Sequence, residues 1–286
     1  MNRVEQVWVD GNRLEGDHLP ISPFSETLLY GRGLFETMAL HDGILRYWEF
    51  HLDRLYAGGE DLGFDMPSRG QITSDVRNVI RTAGLVDGRI RLLLIDDGNS
   101  RRPGTLLYLS DLPVSPPSPV RLILSDVVRS VPSTPKRRKT TSYLDELIVQ
   151  RQATAAGAFD GVMLGVDGSV SEGARSNIFI SSDGVISTPP ESTGLLPGVG
   201  RRGVLSGAAE LGIGIEESGF TAEELLRADG IVVVNALRGV TPVSGIDTVE
   251  QEGLLDCDGE ESRRLADLLR SAFDRGWATT SLLIER

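Results

Sequence analysis

Short apolar, strand-like runs are interrupted four times by an Asp-Gly pair: VWVDGNRL (7–14), MALHDGIL (38–45), GVMLGVDGSVSEG (161–173) and NIFISSDGVIS (177–187). Both residues of such a pair tolerate the positive φ that a two-residue turn demands, so each stretch predicts a β-hairpin and much of the sheet is expected to be antiparallel. Between them, apolar positions at helical spacing predict helices over 73–85, 143–157, 221–230 and 260–273. The third opens with the capping pattern Thr-x-x-Glu, and the fourth places Leu265, Leu268, Leu269 and Phe273 on one face.

One stretch breaks both patterns. LPVSPPSPV (112–120) carries four prolines, which cannot sit in a central strand or a helix interior. Strand-rich sequence flanks it on both sides. The chain of 286 residues is long enough for two domains of ordinary size. The expected organisation is α/β (α+β): a small N-terminal domain over 1–112, a linker at 113–119 and a larger C-terminal domain over 120–286, with mainly antiparallel or mixed sheets.

Composition narrows the function. A net charge of −12 opposes a phosphate backbone, and the basic run KRRK (136–139) is short, so no nucleic-acid partner is expected. No run of about 18 apolar residues occurs and the N-terminus lacks an apolar signal core, which predicts a cytoplasmic protein without a membrane partner. Cys257 stands alone, and His18, His41 and His51 show no metal-ligand spacing, so neither a disulfide framework nor a metal site is expected.

Lysine usage changes the picture most. Among 29 basic residues only Lys136 and Lys139 are lysines. A lysine amine forms imines with carbonyl compounds once it loses its proton, whereas a guanidinium stays charged. Lys139 therefore raises the prospect of Schiff-base chemistry.

Its surroundings carry a resemblance. KTTSYLDELIVQRQATAAGAFDGVMLGVDGSVSEGARSNIFI (139–180) resembles the core of the fold type IV pyridoxal-phosphate enzymes, the class IV aminotransferase family. YGRGLFETM (30–38), FHLDRL (50–55), GLLPGVGRRGVL (194–205) and NALRGVTPV (235–243) resemble further family segments. The resemblance implies pyridoxal 5'-phosphate as cofactor, an active site between two domains, and a homodimer. It makes Lys139 the Schiff-base lysine and proton shuttle, with Lys136 at the wrong spacing from Tyr143. Glu172 matches the partner of the pyridine nitrogen, Tyr143 that of the ring hydroxyl, and Arg54 the phosphate-binding arginine. Leu196 matches the residue packed on the ring. The amides of Val199 and Gly200, and of Ala236 and Leu237, match two sets of phosphate donors.

Many transaminases of the family carry hydroxyl residues where this chain has Gly200 and Ala236, so Arg54 is expected to matter more here. Phe35 and Thr37, with Arg32, Arg91, Arg101, Arg102 and Arg175, are the candidate substrate contacts, the arginines as partners for carboxylates. The resemblance points to a transaminase exchanging an amino group between an amino acid, the D-enantiomer expected, and a 2-oxo acid by a ping-pong route. The alternatives are a 4-amino-4-deoxychorismate lyase, releasing pyruvate and 4-aminobenzoate and favoured by FET (35–37) and NAL (235–237), and a binding protein without turnover.

Overall fold

The computed structural model describes residues 4–15, 21–96, 103–114, 117–129, 137–248, 255–256, 259–278 and 280–284. Lys136, Arg101, Arg102, Cys257, His18 and part of the expected linker lie outside the described residues. The chain divides into two compact units, Met1–Val114 with Arg138–Ser142 and Ala278–Arg286, and Ser115–Arg137 with Tyr143–Trp277.

The first unit is built on an antiparallel sheet of seven described strands: β1 (Val4–Val9), β2 (Asn12–Arg13), β3 (Gly33–His41), β4 (Ile44–Leu45), β5 (Gly88–Ile95), β6 (Gly104–Ser110) and β16 (Leu282–Leu283). Their order is β16-β4-β3-β5-β6-β1-β2. One face, with Leu34, Met38, Leu40, Ile90, Leu92 and Leu107, buries its apolar side chains with those of helices α2 (Trp48–Leu62) and α3 (Arg69–Ala83). Alternation along a strand sends the intervening residues to the opposite face. There Thr37 stands in register with Arg91, and Arg91 with Tyr108. A five-residue helix, α1 (Glu26–Tyr30), leads into β3.

The second unit holds a mixed sheet in the order β12-β11-β10-β13-β14-β7-β8-β9, with β15 paired to β14. Its strands are β7 (Val120–Arg129), β8 (Asp160–Gly165), β9 (Val170–Gly173), β10 (Asn177–Ser182), β11 (Val185–Thr188), β12 (Glu216–Glu217), β13 (Gly230–Asn235), β14 (Gly239–Thr248) and β15 (Leu255–Asp256). Its helices are α4 (Leu144–Ala155), α5 (Val199–Leu211), α6 (Ala222–Arg227) and α7 (Glu260–Ala278). β7 lies parallel to both β14 and β8, so the antiparallel expectation holds throughout the first sheet and only in part of the second. Helices α5 and α7 touch backbone to backbone: a Cβ on Gly207 would lie 1.9 Å from the Ala272 carbonyl oxygen.

The Asp-Gly pairs of the four predicted hairpins form turns. At Asp10-Gly11, Asp42-Gly43 and Asp183-Gly184 both residues have positive φ, the geometry that matches strand twist. At the fourth only Gly168 does, because Asp167 instead accepts hydrogen bonds from the backbone and hydroxyl of Ser169. The capping box of α6 is complete, with Thr221 and Glu224 each bonding the other's backbone.

Three expectations need correction. Leu268 is 42% exposed, because the buried stripe of α7 runs through Leu265, Leu269, Ala272 and Phe273. Residues 138–142, expected in the C-terminal domain, pack with the first unit, where Thr140 bridges Leu34. The last residues do so too, because β16 pairs with β4. Among the described residues no helix is long and apolar enough to cross a membrane.

Candidate active site

In the first unit, backbone bonds to the start of β3 hold the segment around Lys139. Phe35 N–H donates to the Lys139 carbonyl at 2.9 Å and Thr141 N–H to that of Gly33 at 2.9 Å. The glycines of the GRG motif make this docking possible. Gly31, at φ +71°, ends α1, and a Cβ on Gly33 would meet the Thr141 hydroxyl at 2.8 Å. The Lys139 Nζ consequently lies 4.5 Å from the centre of the Phe35 ring, and the Arg91 guanidinium lies 4.3 Å from the same centre. A buried aromatic ring thus carries two cations.

On the other face of β3, Glu36 is buried against α2. Arg54 donates to both of its oxygens at 2.8 and 2.6 Å, and His51 Nδ1 lies 2.6 Å from Oε2. Burial pushes the Glu36 carboxyl up, but Arg54 and His51 outweigh it and hold the pKa at about 2. Burial, the largest influence, and the nearby cations Arg54 and Lys139 push His51 down, against the pull of Glu36. These influences favour the neutral ring, and a neutral ring places its proton on Nδ1 toward the carboxylate; Nε2 is buried without a hydrogen-bond partner among the described residues.

In the second unit Glu172, at the end of the β8–β9 hairpin, is the centre of a buried network. One oxygen accepts from Leu196 N–H at 3.0 Å and from Arg129, and the other lies 3.4 Å from the Asn177 amide nitrogen. Asn177 also donates to the Leu196 carbonyl at 3.2 Å, so Leu196 is hung beside Glu172 by both of its backbone groups. Arg129 has a second carboxylate partner, Glu146 on α4, at 2.5 Å. Burial pulls the Arg129 pKa down, yet Glu172 and Glu146 raise it overall, so the guanidinium is charged. Tyr143, just before α4, donates its hydroxyl to the Ala174 carbonyl at 2.8 Å. Burial first, then Glu146, Glu172 and Asp160, raise its pKa and keep the phenol protonated.

Helix α5 begins at buried Val199 with Gly198, which makes no side-chain cap hydrogen bond, as its N-cap. Such an end attracts an anion. A Cβ on Gly200 would come within 3.0 Å of the Asn235 carbonyl carbon and 3.3 Å of the Ala236 nitrogen, so the 235–236 backbone rests directly on this turn. Together the second unit offers an anion-binding helix end, a packing side chain and a buried carboxylate, which fit a group carrying a phosphate, a flat ring and a basic nitrogen.

The family model for amino-transferase class IV matches residues 33–246. The chain belongs to this family. Within it, the chain is 29% identical over 255 residues to an aminodeoxychorismate lyase of Bacillus subtilis, covering 85% of this chain and 87% of the relative. It is 28% identical over 269 residues to a branched-chain-amino-acid aminotransferase of Escherichia coli K12, covering 87% of each. A crystal structure of the branched-chain aminotransferase from Thermoproteus uzoniensis with norvaline superposes with a TM-score of 0.85 at 26% identity, covering 99% of this chain and 100% of that one. The architecture is that of the fold type IV enzymes.

Class IV membership gives the motif residues a common frame. Glu172, Leu196, Val199, Gly200 and Ala236 gather in the second unit, and Phe35, Lys139 and Arg91 in the first. Leu237 differs from expectation: its N–H donates to the Asn235 side-chain oxygen at 3.1 Å, as does Arg238 N–H at 2.8 Å. Arg32 is engaged elsewhere, with the Leu62 carbonyl, Glu26 and Asp96. Arg175 is exposed and donates to the Phe159 carbonyl. Glu36 and His51 lay inside recognisable motifs without an assigned role, whereas Arg129 and Glu146 had no sequence signal.

Proposed function

We propose that this class IV protein is a pyridoxal-phosphate-dependent transaminase whose donor or acceptor carries a carboxylate beyond the reacting carbon. The observation that carries this reading is the Phe35 ring, which seats both the Lys139 amine and the Arg91 guanidinium. A proton-moving group and a carboxylate-binding cation then share one platform, with Thr37 in register beside Arg91. Pyridoxal phosphate, when bound, supplies an electron sink that lets a carbon next to nitrogen release its proton. Lys139 would anchor the aldehyde and carry that proton on Nζ. By the family resemblance, Arg54 and the first-turn amides of α5 would each serve as phosphate partners, Leu196 would pack on the ring, and Tyr143 would meet the ring hydroxyl. Glu172 would face the ring nitrogen.

A second reading, the lyase, is supported by the 235–238 loop. Asn235 draws two amides onto its own side chain, and neither Gly200 nor Ala236 offers a hydroxyl. The expectation of a D-amino acid rests on sequence alone, so both enantiomers belong in the test. With L- or D-glutamate the bound cofactor's visible band should disappear and return on adding a 2-oxo acid. Stoichiometric 4-aminobenzoate from aminodeoxychorismate without an acceptor would replace the transaminase with the lyase. No response to either substrate would leave a binding protein.

We further propose that the protein works as a homodimer. Phe24, Leu28, Leu29 and Tyr30 around α1 are each more than half exposed, and α4 exposes Leu144, Leu147 and Ile148. Apolar patches of this kind mark contact surfaces on soluble proteins. Light scattering should give twice the chain mass, falling to the single-chain value in the Leu28→Glu, Leu29→Glu variant; a monomeric wild-type protein refutes the proposal.

A further inference from the structure

Helix α4 carries a carboxylate on the same inner face that buries Val149 and Ala153. Leu144, Leu147 and Ile148 face solvent while Glu146 is 6% exposed. Burying a carboxylate costs several kcal/mol unless a partner offsets it. The partner is Arg129, 3% exposed at the end of β7, which donates to Glu146 through one Nη and to Glu172 through the other. Its Nε donates to the Gly194 carbonyl at 3.2 Å.

The charge count of this cluster has a chemical consequence. Arg129 and Glu172 alone would be neutral, and a protonated ring nitrogen brought to Glu172 would be a buried cation without a net counter-charge. Glu146 adds the missing negative charge, leaving the trio at a net −1. We infer that Glu146 is a positioning residue for the cofactor's ring nitrogen: by sharing Arg129 it leaves Glu172 able to hold that nitrogen in its protonated form. The other role open to Glu146 is to neutralise Arg129 for the sake of the fold.

This inference rests on the assignment of Glu172 to the ring nitrogen, and the experiment separates the two. Apoprotein affinity is measured for pyridoxal phosphate and for 1-deazapyridoxal phosphate, in which C–H replaces the ring nitrogen. Glu146→Gln keeps the shape and removes the charge. It should weaken pyridoxal phosphate about tenfold, the scale of one pKa unit of charge interaction, and leave the analogue unchanged. The Arg129→Met, Glu146→Gln double variant returns the Glu172 site to a single negative charge and should recover the preference for pyridoxal phosphate. Equal loss for both ligands, or no loss for either, overturns the inference in favour of a structural role. If Glu146→Gln does not fold, Glu146→Asp, which keeps the charge, takes its place: it should keep the wild-type preference, and loss of that preference overturns the inference. Glu172→Gln is the control for the underlying assignment. If it leaves the preference as in wild type, Glu172 does not face the nitrogen, whatever Glu146 does.

Discussion

Replacing Lys139 with alanine removes the visible absorbance of the lysine-bound cofactor and lowers turnover by about 10⁴-fold or more, the upper range for losing a positioned proton-transfer group. Lys139→Arg should be as inactive, because a guanidinium keeps its proton and cannot attack a carbonyl. The docking of 138–142 on β3 depends on backbone hydrogen bonds and on the glycines at 31 and 33, none of which involves the lysine side chain. The alanine variant should therefore fold normally and still bind pyridoxal phosphate through its phosphate contacts. A small primary amine added to the assay should recover part of the activity. Retention of even a tenth of wild-type turnover in Lys139→Ala would remove this lysine from the chemistry, and with it the proposed function.

Arg129→Met is expected to destabilise the protein by about 3–5 kcal/mol, the cost of leaving buried charges without their partner. Methionine fills most of the space, so the loss is electrostatic. Two buried carboxylates, Glu146 and Glu172, would face one another with no cation between them, and one would have to take up a proton. The fall should appear as a lower urea midpoint. Adding Glu146→Gln removes one of the stranded charges and should restore more than half of the loss, a non-additivity that separates charge from packing. An Arg129→Met midpoint equal to wild type would show that the trio contributes nothing to stability.

Several parts of this structure were legible because their physics is local. An Asp-Gly turn needs only the φ preferences of its own two residues, and three of the four pairs adopt the expected conformation at both positions. The capping box of α6 closes within one helical turn. The spacing that singles out Lys139 is likewise short-range, since four residues separate it from Tyr143. The paired glycines at 31 and 33 signal a tight approach, although what approaches them, Thr141 and Ser142, lies more than a hundred residues away.

Other features depended on partners that no spacing could reveal. Arg129 reads as one more polar residue at the end of a strand, and Glu146 as a solvated helix position beside leucines that look better suited to a core. The resemblance makes the Leu237 amide a phosphate donor, and in the structure that amide donates to the Asn235 side-chain oxygen. Arg32 sits beside the key motif, yet its guanidinium is spent on the end of α2 and on Asp96.

The amino-acid sequence by itself determined the turns, the helix starts, the choice of an amine over a guanidinium at position 139 and the family to which the chain belongs. Only the tertiary structure decided which charges are buried together: Glu36 with His51 and Arg54, and Arg129 with Glu146 and Glu172. The division has one cause. Backbone turns and covalent reactivity are properties of a residue and its chain neighbours, whereas the sign and cost of a buried charge depend on groups that folding brings from distant parts of the chain.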